Sequence, residues 1–566
     1  MIDRRRLLQG AAGLAAARFL IGGAMAQGTT RPRLESDPFA LGVASGEPTT
    51  GGFVLWTRIA GLRENASPAY EIAADEAFDN IVRAGRTIAP LARGGAVHLE
   101  VDGLQPGRPY FYRFHLGDAV SRTGRTATIA KRPDRVRLAL TSCQHWEQGF
   151  FTAYADMIAN DVEAVLQVGD YIYEKSFGAG PDVRSFGAPV PHSLDDYRAR
   201  HALYRTDPHL AAAHAAMPFI VTWDDHEVEN DYAGVHGAAA GDTTTFVKLR
   251  AAAYQAYFEH MPLRPSAFRQ NGELRLYRRF GWGDLANVHV LDSRQYRTPL
   301  PCSTAEARGS RIVDRCGEAL DTSTTMLGAP EERWLKAGMA REQARWSLIA
   351  QQTLFSRLNL PAGPDARYSD IWDGYAATRD RAIDALTQPA VRNPVLLGGD
   401  VHSFWINDVK RDFSQPYSVP VATEIVTSCL ASRNGPEALF GPAQSLNPHV
   451  RFLDNHHAGY VLLDVTPGQL DIDLRAVAAR HGAAGLPNLL DQAHGFLSPY
   501  GEPERAAREQ HSIADADHGQ YRRHIDVGRD VRVPSVGCHC RGSTAFTPCV
   551  HALHNDVVEA TWSRNK

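Results

Sequence analysis

The chain has 566 residues and a mass of 62.1 kDa, beyond the roughly 250–300 residues at which single cores stop growing, so about three or four structural units are expected. Its 44% hydrophobic and 22% charged residues exclude a collagen-like or largely disordered chain. A formal charge of -4 and a pI near 6.6 give no basic footprint, so no nucleic-acid-binding surface is expected.

The first 26 residues read as an export signal. Arg4, Arg5 and Arg6 precede a moderately apolar run from Leu7 to Ala24, and Ala24-Met25-Ala26 forms an A-x-A cleavage site. Gln9 and Arg18 interrupt the run, which falls short of the roughly 20 continuous apolar residues that span a bilayer, so no permanent membrane anchor is expected. Asp3 to Gln9 resembles a twin-arginine signal, with Leu7 replacing the usual aromatic and Gln9 the usual basic residue. The expectation is a periplasmic or secreted protein handled by the twin-arginine export machinery. Cleavage would remove four Arg and one Asp and leave a mildly acidic mature surface.

After a polar linker (Gln27 to Asp37), residues 37–130 carry short β-type runs between turn signals: FVLWTRI, YEIAAD, VHLEVDGL and YFYRFHL. They predict a small all-β domain. Gly103 to Tyr112 resembles the tyrosine corner of fibronectin type III and immunoglobulin-like sandwiches. Over residues 136–475 apolar runs alternate with helical stretches, predicting a layered α/β core. Four of its runs end in polar, acid-rich turns: VRLAL before Thr141-Ser142-Cys143-Gln144, AVLQV before Gly169-Asp170-Tyr171-Ile172-Tyr173-Glu174, FIVTW before Asp224-Asp225-His226-Glu227, and PVLLG before Gly399-Asp400-Val401-His402. Loops at the carboxyl ends of strands in an open α/β sheet gather at one rim, so these four are expected to build one site.

Seven cysteines leave an odd thiol if the others pair. Cys302 and Cys316 lie in a polar stretch where an oxidising compartment favours a local disulfide, and Cys429, in IVTSCLAS, reads as an inert core residue. Residues 476–566 differ from the rest, with eight His, three Cys and few apolar runs. They read as a flexible tail, as a metal-binding appendage using Cys538, His539, Cys540 and Cys549, or as the product of a shifted reading frame; the cysteine spacing fits no common zinc module.

The four loops offer carboxylates (Asp170, Asp224, Asp225, Asp400), imidazoles (His226, His402), a phenol (Tyr173) and a thiol (Cys143). Carboxylates suit hard cations such as calcium, imidazole suits transition metals, and thiolate or phenolate favours a more strongly acidic metal such as ferric iron. Such a cluster would repel itself without cations, because like charges at short range raise one another's pKa.

Together these loops resemble those of calcineurin-like metallophosphoesterases: Gly169-Asp170-Tyr171-Ile172-Tyr173 matches a Gly-Asp-x-x-Tyr motif, Asp224-Asp225-His226-Glu227 a Gly-Asn-His-Glu loop, and Gly399-Asp400-Val401-His402 a Gly-His-x-His loop. More closely, Ser142-Cys143-Gln144, GDYIYE, WDDHEVEN, LDSRQYR and GGDVHSFW, in this order, resemble the PhoD-like alkaline phosphatase/phospholipase D family over roughly Asp37 to Arg475. The resemblance implies an α/β fold, a metallophosphoesterase-type β-sandwich flanked by helices, behind the small all-β fibronectin/immunoglobulin-like domain. It also implies Fe3+ and Ca2+ as cofactors and small phosphate esters as substrates. By the same token Cys143 and Tyr173 would ligate iron, Asp170 would bridge iron and calcium, Asp400 and His402 would complete the cluster, and Asp225 would face calcium. Asp224, Glu227 and Asn230 are placed either at calcium or in loop hydrogen bonds. His226 is the candidate to bind the phosphate or assist the leaving group. Asp292 and Arg294 form a local ion pair or lie near the site. Other readings are a phospholipase D-type diesterase and an inactive surface- or carbohydrate-binding protein. The match ends at Asp473 to Val477.

Overall fold

The computed structural model describes residues 36–178, 182–238, 242–270, 272–304 and 306–477, together with the strands Gln492–Leu497 and Arg522–Asp526. The export signal and Cys538, His539, Cys540 and Cys549 lie outside the described residues.

The runs that read as uninterrupted apolar segments become strands buried on both faces, as expected where a sheet is covered on both sides. Val136–Thr141, Ala164–Val168 and Pro218–Thr222 pair in parallel at the centre of a ten-stranded sheet. Ala458–Val465 and Leu470–Val477 add antiparallel strands on one side. Within the stretch that showed no strand pattern, Gln492–Leu497 and Arg522–Asp526 extend that edge by backbone pairing, which needs no apolar alternation.

A seven-stranded sheet lies against the first. Its central strands are Ala286–Val290, Trp346–Ala350, Pro394–Gly398 and Pro420–Val426, all in parallel register. Side chains alternate across each strand. Leu138, Leu140, Leu166 and Ile220 face inward against Val288, Leu348, Leu397 and Ile425, while Ala139, Val165, Phe219 and Val221 face outward into a core closed by helices Ala153–Ala159, Leu194–Arg205, Pro208–Ala216 and Thr243–His260. Helices Gly328–Met339 and Ala376–Leu386 cover the outer face of the second sheet. The result is a β-sandwich flanked by helices. The four acid-bearing loops therefore come from two facing sheets rather than from one open sheet: three follow strands of the first, and the fourth follows Pro394–Gly398 of the second.

The amino-terminal strands also behave differently from an isolated sandwich. Val43–Gly46 pairs in parallel with Pro218–Thr222, so Val43–Gly46, Phe53–Arg58 and Ala96–Val101 continue the ten-stranded sheet. Only Ala69–Ala73, Ile81–Arg86, Pro109–Leu116, Ala119–Val120 and Gly124–Ala127 form a separate five-stranded sheet. The two sheets enclose Phe53, Leu55, Ile72, Tyr112 and Phe114. The Tyr110 hydroxyl accepts from the Gln105 N–H at 3.0 Å and donates to the Gln105 carbonyl at 3.3 Å, the contact of a tyrosine corner.

The seam through Val43–Gly46 has no room for a further carbon. A Cβ on Gly46 would lie 2.6 Å from the Pro262 carbonyl oxygen and 2.7 Å from that of Phe219. Gly46→Ala is expected to destabilise the protein by about 1–3 kcal/mol through overpacking, measured by denaturant unfolding; an unchanged midpoint would show that the seam yields freely.

Candidate metal centre

The ends of the four strands are held in an uncommon backbone shape. Cys143 (φ 57°), Asp170 (56°), Asp231 (62°), Asp400 (67°) and His402 (54°) all lie in the left-handed region, which costs an L residue about 1–2 kcal/mol each. Gly169, with φ 120°, precedes Asp170, and a Cβ there would meet the Asp224 Cβ at 2.4 Å. Surrounding bonds hold this geometry in place. The Glu227 carboxylate accepts from the N–H groups of Asp170 (3.2 Å), Tyr171 (2.5 Å) and Asp224 (2.9 Å), pinning two of the loops together. Ser142, beside Cys143, forms a bridge to Cys429, which ties the first sheet to the loop after Pro420–Val426.

Two ends of one site result. At the first, donor atoms of Cys143, Asp170 and His402 lie within 4.8 Å of one another. The Tyr173 hydroxyl sits between them, donating to Asp170 Oδ2 at 2.8 Å and lying 3.1 Å from His402 Nε2. His402 Nδ1 is 2.6 Å from the Arg433 carbonyl, so its proton is assigned there and the Nε2 lone pair is presented to the cluster. At the other end Asp225 and Asp170 gather with His226, and Asp225 gathers again with Asp231 and Asp370. Asp170 thus belongs to both ends.

The remaining expected residues take supporting positions. Asp224 is bound by Arg294 Nε, and Arg294 also forks onto Asp370 at 2.8 and 2.9 Å and lies 3.7 Å from Asp225. Asp400 accepts from the Thr353 hydroxyl; neither Asp224 nor Asp400 joins the three donor groups found among the described residues. The Asn230 N–H donates to Glu174 at 3.2 Å. The other Glu174 oxygen is 2.7 Å from His226 Nδ1, and the His226 ring stacks on Tyr173 at 4.1 Å between centroids, leaving Nε2 for a ligand. Asp292 and Arg294 do not form the local ion pair: Asp292 holds the Trp223 indole and Gln295, while the Arg294 guanidinium reaches into the site.

Sequence reasoning missed Asp231 and Asp370. Asp231 directly follows WDDHEVEN and had a motif beside it; Asp370, in RYSDIW, follows no long strand and carried no signal. A disulfide between Cys302 and Cys316, the local pairing expected, closes the loop that supports both. Within it the Ser310 N–H donates to Asp231 at 2.9 Å, and Arg311 exchanges bonds with Ser369, the neighbour of Asp370. Cys429 is buried, as its apolar context implied.

The residues fit cations. Asp170 Oδ1, Asp224 Oδ2 and Asp225 Oδ1 are buried and find no hydrogen-bond partner among the described residues, a costly condition for a carboxylate unless a positive charge completes it. Burial first, and then neighbouring carboxylates, raises Asp170 and Asp400 well above the usual carboxylate range. Burial likewise leads the rise of Asp224 to about 6, Glu227 to about 7 and Asp231 to about 6. Asp225 and Asp370 are pushed up by burial too, but the Arg294 charge, helped at Asp370 by Arg297 and at Asp225 by His226, brings both below normal. Burial opposes a charged His226, yet Asp170, Asp225 and Glu174 outweigh it and raise its pKa. Burial, Asp170 and Asp400 keep the Cys143 thiol protonated without a cation, a preference that a coordinating metal reverses.

A sandwich of two helix-flanked sheets, with these donors along the edge where the sheets meet, is the architecture of a metallophosphoesterase. The chain belongs to the PhoD-like phosphatase family, matching it over residues 138–474 and the family's N-terminal domain over residues 24–130. It is 39% identical over 500 residues to alkaline phosphatase D of Bacillus subtilis (strain 168), covering 84% of each chain. The solved structure of PhoD is 36% identical and superposes with a TM-score of 0.76, covering 83% of this chain and 91% of that one.

Two outcomes are expected. The raised carboxyls and His226 contribute stability that is complete below their unfolded values and is lost as pH rises through about 6 to 7 and beyond. Chelation should therefore lower the melting temperature more near pH 8 than near pH 5; an equal drop would show that cations do not offset this repulsion. Replacing both Cys302 and Cys316 by Ser, which opens a loop of sequence separation 14, should cost about 3 kcal/mol by the loop-entropy argument and weaken metal-ion binding in a calorimetric titration.

Proposed function

We propose that this phosphatase is an exported, metal-dependent enzyme that hydrolyses phosphomonoesters and phosphodiesters outside the cytoplasm, acting on small phosphate esters. The observation that carries the reading is Asp170, whose carboxylate belongs to two donor groups of different chemistry at once. In this reading Cys143, Tyr173, Asp170 and His402 hold Fe3+, with Asp400 beside them. Asp170, Asp225, Asp231 and Asp370 would hold Ca2+, with Asp224 and Asn230 beside them. Bound there, such cations lower the pKa of a water molecule and neutralise phosphate oxygens.

The chain's own groups do the rest. His226 is fixed through Nδ1 by Glu174 and by its stack on Tyr173, so Nε2 is held ready to donate a proton to a phosphate oxygen or to the departing alkoxide. Arg294 is spent on Asp224 and Asp370; it holds the acids in place rather than reaching for substrate. Among the described residues no helix is long and apolar enough to cross a membrane. The twin-arginine route rests on Asp3 to Gln9 alone.

Elemental analysis of the purified mature protein should find iron together with calcium, whereas zinc or manganese alone would remove the Cys143 and Tyr173 assignment. Turnover of a nitrophenyl monoester, its bis ester and a phospholipid should show the first two hydrolysed, and a strong preference for the phospholipid would overturn the substrate reading. His226→Ala should lower kcat by about 100-fold or more while iron content stays constant.

A further inference from the structure

Outside the metal centre, a cavity of about 630 Å³ opens between the turn after Val43–Gly46, the segment after helix Thr243–His260 and the strand Arg278–Trp282. That volume lies in the range of sites for small ligands. Arg264, Arg269, Arg275, Arg278 and Arg279 line it, against one carboxylate, Glu47. Glu47 is already occupied, accepting from Arg278 Nε at 2.5 Å and lying 3.5 Å from Arg264, which also reaches Glu100 at 3.0 Å. Arg269, Arg275 and Arg279 form no ion pair among the described residues. Five arginines against the two carboxylates that pair with them, Glu47 and Glu100, leave a surplus of three positive charges within a chain whose net charge is -4.

Arginines repel one another, and a surplus of this kind in a concave wall focuses a positive potential. The wall also fixes part of the cluster in place. The Arg275 guanidinium lies 4.6 Å over the Tyr277 ring, and that ring packs 5.3 Å from Trp334. Arg278 is anchored by Glu47 and by the Leu276 and Val221 carbonyls. Thr50 and Ser266 add hydroxyls to the lining. A single phosphate accepts one or two guanidinium forks; five arginines spread over this volume call for several anionic groups on one compact molecule. The basic residues converge on one half-open concave pocket rather than along an extended stripe, which favours a compact ligand over a nucleic acid strand.

The groove is connected to the metal centre without sharing its residues. Arg278 pairs in register with Val290, from which the chain runs through Asp292 to Arg294. Gln295 donates to the Leu274 carbonyl, next to Arg275. We propose that this groove is a second ligand site, specific for a compact polyanion bearing several phosphate-like groups and distinct from the site of hydrolysis.

The probe is inositol hexakissulfate, which carries no phosphoester bond to hydrolyse, titrated calorimetrically into the metal-loaded, full-length enzyme. One-to-one binding is expected, weakening with salt. It should fall at least tenfold in the combined variant Arg269→Gln, Arg275→Gln, Arg279→Gln, while turnover of a nitrophenyl monoester is retained. Arg279→Glu, at an exposed position, provides a second variant with minimal risk to folding and should also weaken binding. Asp170→Asn should leave the affinity unchanged. Absence of binding, equal affinity in the arginine variants, or loss of binding in Asp170→Asn would each overturn the proposal, the last by placing the polyanion at the metal centre. Hydrolysis of the monoester is read separately, so failure here leaves the phosphatase reading standing.

Discussion

Carboxylates brought within contact distance inside a protein cannot all remain charged unless positive charge is placed among them. That constraint governs this molecule. Asp224, Asp225 and Asp370 meet buried beside Asp170, with Asp231 and Asp400 half-buried at the same site. The chain supplies part of the compensation itself: Arg294, fully buried, binds Asp224 and Asp370 and approaches Asp225, and Arg297 adds a bond to Asp370 at 2.6 Å. The Arg294 charge brings Asp225 and Asp370 below the usual carboxylate range, whereas at Asp224, Asp170 and Asp400 burial and neighbouring acids outweigh the positive charge nearby and keep the carboxyls raised. The unsatisfied oxygens of Asp170, Asp224 and Asp225 mark where the compensation stops.

The two-sheet sandwich is what makes that concentration of charge tolerable. The apolar core between the sheets and the helices on their outer faces fix the strand ends rigidly, and strain at the left-handed residues is offset by packing some distance away. Glu227 shows how closely support and site are joined. Its side chain accepts the backbone protons of Asp170, Tyr171 and Asp224 and so sets the direction in which two ligand-bearing loops leave their strands. The same logic extends to the disulfide-closed loop, which reaches Asp231 and the neighbour of Asp370 through backbone N–H groups.

What the sequence revealed follows from where chemistry coincides with pattern. Cys143, Asp170, Asp225, His226 and His402 follow strongly apolar strands in short polar turns, so both their elements and their convergence were legible. The pairing of two sheets was legible only through the family resemblance, because a strand buried on both faces reads alike in an open sheet and in a sandwich. Continuity of Val43–Gly46 with Pro218–Thr222 was hidden: it joins segments some 170 residues apart, and no local pattern specifies a partner at that range. Asp370 follows the three-residue strand Ala366–Tyr368, too short to announce itself, and its part became visible only through Arg294 and Arg297. Arg294 was seen but unresolved, since its neighbour Asp292 offered a nearer carboxylate. The structure decides the matter because Asp292 is already engaged with Trp223 and Gln295.

Charge balance gives the proposed division between iron and calcium a physical basis. At the acid-rich end four carboxylates, Asp224, Asp225, Asp231 and Asp370, outnumber the two guanidinium groups, Arg294 and Arg297, so negative charge remains for a cation to offset. At the other end the thiolate of Cys143, the phenolate of Tyr173 and the carboxylate of Asp170 would together neutralise a trivalent cation, with His402 adding a neutral donor. Burial holds both Cys143 and Tyr173 in their protonated forms, so only a strongly acidic metal would displace those protons, whereas calcium would leave them in place. The unlike ends share Asp170, and a change of cation at either end alters the charge felt by the other. One buried carboxylate thereby couples the two halves of the site, and its position is fixed by Gly169 behind it and Glu227 beneath its backbone.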